Sequence, residues 1–211
     1  MNRAPLATVF SGWIALIIFM GIGRFAYTPI LPLMQQTTVL SHQSAAFLAT
    51  VNYFGYLGGA FIAGILSWKK GRTFYLKICL FLNGFTTMAI GLVENIPIWL
   101  LFRLISEVTS GIGFVFASSI VFDALIRFQK PTWSGLFYSG VGSGIFFSSL
   151  LLMTDPFSSW SSAWIGLGFI CLLLMIFPFL LLKNERSNFG NQSNRTVEKK
   201  AHPKDYFCYF S

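Results

Sequence analysis

The chain has 211 residues, of which 55% are hydrophobic and only 10% are charged. A soluble domain carries about 25% charged residues, so this composition excludes an ordinary soluble protein and indicates an integral membrane protein. The formal net charge of +8 does not indicate a nucleic-acid partner, because most basic residues lie between apolar runs or in the C-terminal tail.

Six apolar runs are long enough to cross a bilayer, which takes about 20 residues per helix. They predict an all-α integral membrane fold, a bundle of six transmembrane helices within a membrane domain of residues 1–182. The predicted spans, in chain order, are residues 7–27, 45–66, 74–93, 98–126, 133–153 and 163–182. Residues 183–211 are largely polar and predict a flexible cytoplasmic tail.

The loops between these spans alternate in charge. The first, third and fifth loops hold no lysine or arginine, over Gln35–Gln43, Glu94–Pro97 and Thr154–Ser162. The other segments carry the basic residues Arg3, Lys69, Lys70, Arg72, Arg127, Lys130, Lys183 and Arg186. Because basic loops remain in the cytoplasm, we expect a multi-pass membrane protein with both termini cytoplasmic.

The first span contains an arginine, Arg24, inside an otherwise apolar run. An arginine near the centre of a spanning helix costs about 2.5–3.5 kcal/mol on insertion scales, so it is usually retained for a partner or a ligand. Glycines precede Arg24 and prolines follow it, which is typical of a helix that faces protein or a water-filled cavity. The alternative is that Arg24 snorkels to the outer interface and anchors the helix.

The fourth span carries Arg103, Glu107 and Asp123. Arg103 and Glu107 are four residues apart, so they share one helix face and can pair. Two interpretations stay open for them: residues that line an aqueous cavity, or a structural pair buried against the first span.

Three segments resemble a known family. They are Gly21-Ile-Gly-Arg-Phe-Ala-Tyr-Thr-Pro29 in span one, Asn52-Tyr-Phe-Gly-Tyr-Leu-Gly-Gly-Ala60 in span two and Gly140-Val-Gly-Ser-Gly144 in span five. The chain resembles the N-terminal half of a major facilitator superfamily transporter, most closely the YbfB/YjiJ-like branch. The resemblance implies half of a twelve-helix fold in the bacterial inner membrane. It also implies a truncated transporter or one that pairs with a second half-transporter chain.

The resemblance also implies residue roles. In that superfamily spans one and four line the central cavity, so Arg24, Tyr27, Arg103 and Glu107 become candidates for a substrate or proton cavity. Span five lacks the proline of the antiporter signature, so the direction of transport stays open. Its glycines, with those of span two, are expected to serve helix packing, at Gly55, Gly59, Gly140 and Gly144.

The loop after span two resembles the superfamily signature Gly-x-Leu-Ala-Asp-Arg-x-Gly-Arg in degraded form. The chain has Gly64-Ile-Leu-Ser-Trp-Lys-Lys-Gly-Arg72, with Trp68 at the acidic position. Gly64 is expected to permit close helix contact and Gly71 a tight turn. The resemblance implies a conformational latch in which Asp123 pairs with Lys69 or Arg72. The alternative is an ordinary basic loop that obeys the positive-inside rule.

We therefore expect a secondary active transporter for a small solute, with proton coupling left open and with activity lacking in one half alone. A non-transporting membrane interaction protein or a truncated remnant is the alternative.

Gly142-Ser143-Gly144 resembles a protease nucleophile motif, but neither histidine lies in a span, so an intramembrane enzyme is not expected. Cys79, Cys171 and Cys208 form no CxxC pair, and we expect no metal and no cofactor. The expected partners are the lipid bilayer and a solute, with no nucleic acid.

Overall fold

The computed structural model describes residues 3–38, 40–65, 71–153 and 159–182, and these residues are helical, with no strand among them. The elements are α1 (Arg3–Leu16), a π-helix (Ile17–Arg24), α2 (Tyr27–Thr37), α3 (His42–Ile65), α4 (Arg72–Ile90), α5 (Ile96–Arg127), a 3₁₀ turn (Pro131–Trp133), α6 (Ser134–Met153), α7 (Trp160–Leu174) and α8 (Ile176–Leu181). Lys69 and the predicted tail, residues 183–211, lie outside the described residues.

Within the described residues, six helical segments are long and apolar enough to cross a membrane. They cover Leu6–Thr37, His42–Ile65, Arg72–Ile90, Ile96–Arg127, Pro131–Met153 and Trp160–Leu181. The predicted fold class, a bundle of six spanning helices that matches half of a major facilitator fold, is thereby confirmed.

The first span is longer than the sequence indicated, because helix continues to Thr37 instead of ending near Tyr27. Pro29 and Pro32 lie beyond this expected end, and proline commonly interrupts a helix. Pro29 lies in the first turn of α2, where the missing N–H has no cost, and only Pro32 lies in the helix interior. The prolines therefore sit within a new helical segment that starts after the π-helix.

The π-helix of span one is held by side chains from two other helices. The Ser110 hydroxyl donates to the carbonyl of Phe19 at 3.1 Å, and the Ser148 hydroxyl donates to the carbonyl of Gly21 at 3.4 Å. Wide turns of this kind are rare and occur frequently at functional sites. The irregular backbone is thus buried against α5 and α6 and kept away from lipid, as its polar groups require.

The helices cross at small residues. A Cβ at Gly59 would collide with the backbone of Val108 on α5, and a Cβ at Gly140 would lie 2.6 Å from the carbonyl oxygen of Trp13. Glycine lets the backbones approach this closely, which is how spanning helices gain packing energy in lipid. Gly64 differs from the expectation of close contact, because no atom lies within 4 Å of the position its Cβ would take.

The crossings of α5 with α3 and of α6 with span one bring further glycines into contact. Gly55 faces Glu107, and Gly144 faces Gly21 across the α6–π-helix crossing, where a Cβ at Gly144 would lie 2.8 Å from the Gly21 Cα. The predicted packing residues of span two and span five therefore all lie at helix crossings. The outer faces of α3 and α6 are apolar and exposed, with Phe54 and Phe146 at 71% and 61% exposure. Faces of this kind suit lipid or another membrane helix.

Two described helix ends have left-handed residues. Gly71 precedes α4 with φ of 90°, a conformation that glycine adopts without steric cost, so it makes the tight turn expected there. Gln129 follows α5 with φ of 53°. The amides of Gln129 and Lys130 donate to the carbonyls of Ile126 and Leu125, which is the hydrogen-bond pattern of a Schellman motif.

Candidate functional site

Arg103 is the centre of the site. It lies on α5, its residue is only 1% exposed, and its guanidinium reaches span one and α3. It donates to the carbonyl of Gly23 at 2.9 Å, to the carboxylate of Glu107 at 2.8 Å and to the Oδ1 of Asn52. A buried arginine of this kind is tolerated only because its charge is paired and its donors are used.

Two aromatic side chains flank the Arg103 guanidinium. Its Cζ lies 5.1 Å from the ring centroid of Tyr27 and 5.6 Å from that of Trp164 on α7. The Tyr27 hydroxyl donates to the carbonyl of Ala45 at 3.1 Å, which fixes the ring between span one and α3. Arg103 therefore ties together four helical segments at one depth of the bundle.

Glu107 is fully buried one turn after Arg103. Gly55 leaves the room for it, because a Cβ at Gly55 would lie 2.8 Å from the Cβ of Glu107. Among the described residues, neither the Oε2 of Glu107 nor the Nε of Arg103 has a hydrogen-bond partner. The buried pair thus keeps one free acceptor and one free donor, which a water molecule, a proton or a ligand could use.

Arg24 lies beside this pair, at the end of the π-helix, and is partly exposed. Its Cζ lies 4.1 Å from the ring centroid of Tyr56, 5.3 Å from that of Tyr53 and 5.8 Å from that of Phe25. In the part of the chain that the structure describes, the two ion pairs are Arg72–Asp123 and Arg103–Glu107, so Arg24 has no carboxylate there. Arg24 is a cation with aromatic neighbours and an unmatched charge.

A polar cluster that the sequence analysis did not predict lies next to the Arg103–Glu107 pair, between α4 and α5. The Nδ2 of Asn83 on α4 donates to the Ser106 carbonyl at 3.0 Å and to the Ser110 hydroxyl at 2.9 Å. A Cβ at Gly23 would lie 2.6 Å from the Asn83 Oδ1, so Asn83 supports the backbone that carries Arg24. The signal was present in the sequence, since Ser106 and Ser110 are spaced to share a helix face beside the Arg103–Glu107 pair.

The second predicted site lies at the other end of α5. The Arg72 guanidinium contacts the Asp123 carboxylate at 2.7 Å and also donates to the Ser119 hydroxyl. The side chains of Arg72 and Asp123 are 28% and 39% exposed, so this pair is more hydrated than the central one. Asp123 follows Arg103 by about 30 Å along α5, at about 1.5 Å per residue. The structure thus groups the predicted residues into two separate sites.

The central site carries a net positive charge. Arg24, Arg103 and Glu107 leave one positive charge in excess on the described residues of this cluster. No group of three or more potential metal ligands occurs among the described residues. Ionisable residues at membrane depth are costly and mark solute or proton pathways.

Six spanning helices and a charged cluster between spans one, two and four define the class of the protein: half of a major facilitator fold in a multi-pass membrane protein. The model of the family described as "Uncharacterised MFS-type transporter YbfB" matches residues 16–206. The chain belongs to this family of the major facilitator superfamily, as the resemblance had implied. Membership groups it with proteins described as transporters.

Curated relatives match the chain over part of their length. The chain is similar to synaptic vesicle glycoprotein 2C of Rattus norvegicus, 28% identical over 67% of this chain and 20% of the relative. It is also similar to synaptic vesicle glycoprotein 2B of Homo sapiens, 29% identical over 66% of this chain and 21% of the relative. The chain spans about a fifth of the length of these relatives. No solved structure matches the chain.

Proposed function

We propose that the chain forms one half of a secondary active transporter for a small solute in the bacterial inner membrane, with both termini in the cytoplasm. The observation that carries this proposal is the charged cluster of Arg24, Arg103 and Glu107 on spans one and four. In this superfamily the two six-span halves move around a central site that lies between them. The partly exposed Arg24 is the member of the cluster that a solute between the halves would contact.

Glu107 is the candidate for proton coupling. Its Oε2 is unpartnered among the described residues, and its Oε1 accepts from Arg103 at 2.8 Å. Protonation of Glu107 would remove the charge that holds Arg103, and Arg103 also binds the Gly23 carbonyl of span one. A proton on Glu107 would therefore loosen the contact between spans one and four. Arg72 and Asp123, with Gly64, Lys69 and Gly71, form the proposed latch at the cytoplasmic end.

The proposal needs a second half, which two copies in tandem can supply. If both termini are cytoplasmic, two chains can be joined head to tail with the tail as the central loop, because the two halves of this superfamily are parallel repeats. The exposed apolar faces of α3 and α6 are the surfaces proposed to meet the second half and the bilayer.

The test is uptake of radiolabelled small solutes into proteoliposomes under an inward proton gradient. We expect gradient-driven uptake by the tandem protein, little by the single chain, and loss of uptake when Arg24→Gln is introduced in both copies. The Glu107→Gln variant should still exchange solute across the membrane when no gradient is applied. Its solute uptake should no longer increase when the proton gradient is imposed. Absence of gradient-driven uptake by both proteins across the solute panel would reject the proposal.

A further inference from the structure

The unmatched charge of Arg24 points to the chemistry of a ligand. Among the described residues its side chain makes no hydrogen bond and no ion pair, although it lies beside the rings of Tyr56, Tyr53 and Phe25. Cation–π contacts stabilise the charge but use none of the five N–H donors of a guanidinium. A planar fork of donors with aromatic neighbours is the group that binds a carboxylate through two parallel hydrogen bonds.

The net charge of the cluster indicates how many negative charges a ligand of Arg24 should carry. Arg103 is matched by Glu107, so Arg24 supplies the single excess positive charge of the cluster. One carboxylate would neutralise it. A second negative charge would have no cation to pair with, because Arg103 is already matched by Glu107, and an unpaired charge at membrane depth is costly. The site therefore favours a monoanion over a dianion.

The aromatic rings around Arg24 indicate what kind of group should be attached to the carboxylate of the ligand. Tyr53 and Phe25 are 63% and 37% exposed, and both lie within 6 Å of the Arg24 guanidinium carbon. A carboxylate bound to Arg24 would carry its attached group across these exposed rings. A flat ring attached to the carboxylate can stack there, whereas a short aliphatic acid cannot.

We propose that Arg24, with Tyr53, Tyr56 and Phe25, forms a binding site for an aromatic monocarboxylate. This inference rests on the proposed function, since it names the substrate class of the same cavity. Arg24 holds the carboxylate, the rings hold the aromatic body, and the Arg103–Glu107 pair sets the charge behind them.

The experiment measures binding, without any gradient, to the purified full-length chain in mild detergent. Equilibrium dialysis with radiolabelled benzoate gives the affinity, and unlabelled benzamide, acetate, phthalate and phenylphosphonate compete. We expect saturable benzoate binding and no competition by neutral benzamide. The buffer is alkaline enough to make both phthalate and phenylphosphonate dianions. Under this condition we expect acetate and the two dianions to compete at least about tenfold more weakly than benzoate.

Three variants assign the site. Arg24→Gln should weaken benzoate binding by at least about tenfold, and Arg24→Lys, which keeps the charge without the fork, should weaken it less. Lys130→Gln is the matched control, since it also removes a cation beside an aromatic ring, 4.4 Å from the Trp133 centroid, and lies outside the site. Its affinity should equal that of the native chain. Circular dichroism and the thermal midpoint establish that each variant is folded.

The outcomes separate this inference from the proposed function. No benzoate binding to the native chain, equal competition by benzamide, or equal weakening by Arg24→Gln and Lys130→Gln would overturn the site. Preferential competition by phenylphosphonate would overturn the monocarboxylate class. If the chain binds benzoate but the tandem protein takes up no solute, transport is rejected and the binding site stands. If the tandem protein takes up other solutes but benzoate does not bind, the binding site is rejected and transport stands.

Discussion

Arg103 and Glu107 form the most buried ion pair of the described residues, at 1% and 0% exposure. Removal of one partner leaves the other charge buried and unpaired, which typically costs about 3–5 kcal/mol. We therefore expect Glu107→Ala to lower the free energy of unfolding by that amount. The measurement is the thermal midpoint and the denaturant unfolding of the purified chain in one detergent.

The matched control for this prediction replaces both partners. A double variant, Arg103→Met with Glu107→Leu, removes both charges and keeps apolar volume, so it should be more stable than Glu107→Ala. Equal stability of the single and double variants would show that the cost of Glu107→Ala comes from a cavity instead of from an unpaired charge.

Arg72 and Asp123 should behave differently because their side chains are 28% and 39% exposed. Hydrated ion pairs contribute about 0.2–1 kcal/mol to stability. A double-mutant cycle with Arg72→Gln and Asp123→Asn should give a coupling energy in that range, and the coupling should fall as salt is added. A coupling above about 2 kcal/mol, as expected for a desolvated pair, would contradict this prediction.

At the residue scale, sequence spacing was sufficient only for local pairs. Arg103 and Glu107 are neighbours on one helix face, so their pairing followed from a separation of four residues. Asn52 and Gly23, which complete the Arg103 environment, lie 51 and 80 residues away in sequence. Their approach depends on how the helices cross, which no local pattern specifies.

Neighbouring glycines on α3 test the packing of that helix. A Cβ at Gly59 would collide with the Val108 backbone, while a Cβ at Gly58 would meet no atom within 4 Å. We expect Gly59→Ala to destabilise the fold by about 1–3 kcal/mol, because a backbone cannot yield as a side chain can. Gly58→Ala should be neutral or stabilising by up to about 1 kcal/mol, since alanine favours helix. Thermal midpoints of the two variants in the same detergent compare them directly, and equal midpoints would contradict the predicted crossing.

At the element scale, the apolar runs located the helices well and their ends less well. Hydropathy located the six spans because a segment that crosses lipid must be a long apolar helix, in which the backbone groups hydrogen-bond to one another. The helix of the first span continues past the expected end near Tyr27, because a proline such as Pro29 in the first turn of a new helix does not interrupt it. Gly64 was taken as a packing residue by analogy with the family loop, but it faces open space in the described structure.

The orientation of the whole molecule is predicted from its charge asymmetry. We expect Gln36→Cys and Glu94→Cys to react with an impermeant maleimide on intact cells and Lys130→Cys to react only after permeabilisation. All three native residues are exposed, so burial does not protect them. The background should lack Cys208, while Cys79 and Cys171 are buried. Labelling of Lys130→Cys alone on intact cells would invert the proposed topology.

The π-helix has a consequence for how this protein tolerates changes in length. An i→i+5 turn encloses one residue more than the i→i+4 turn of an α-helix, so Ile17–Arg24 stores a surplus residue. A deletion there can be absorbed by tightening the turn, with α1 and α2 keeping the faces they present to their neighbours. The same deletion between Ile96 and Arg103 would rotate the start of α5 by about 100° relative to Glu107 and its partners. Evolution can therefore add or remove one residue in the π-helix of span one while α1 and α2 keep facing the same neighbouring helices.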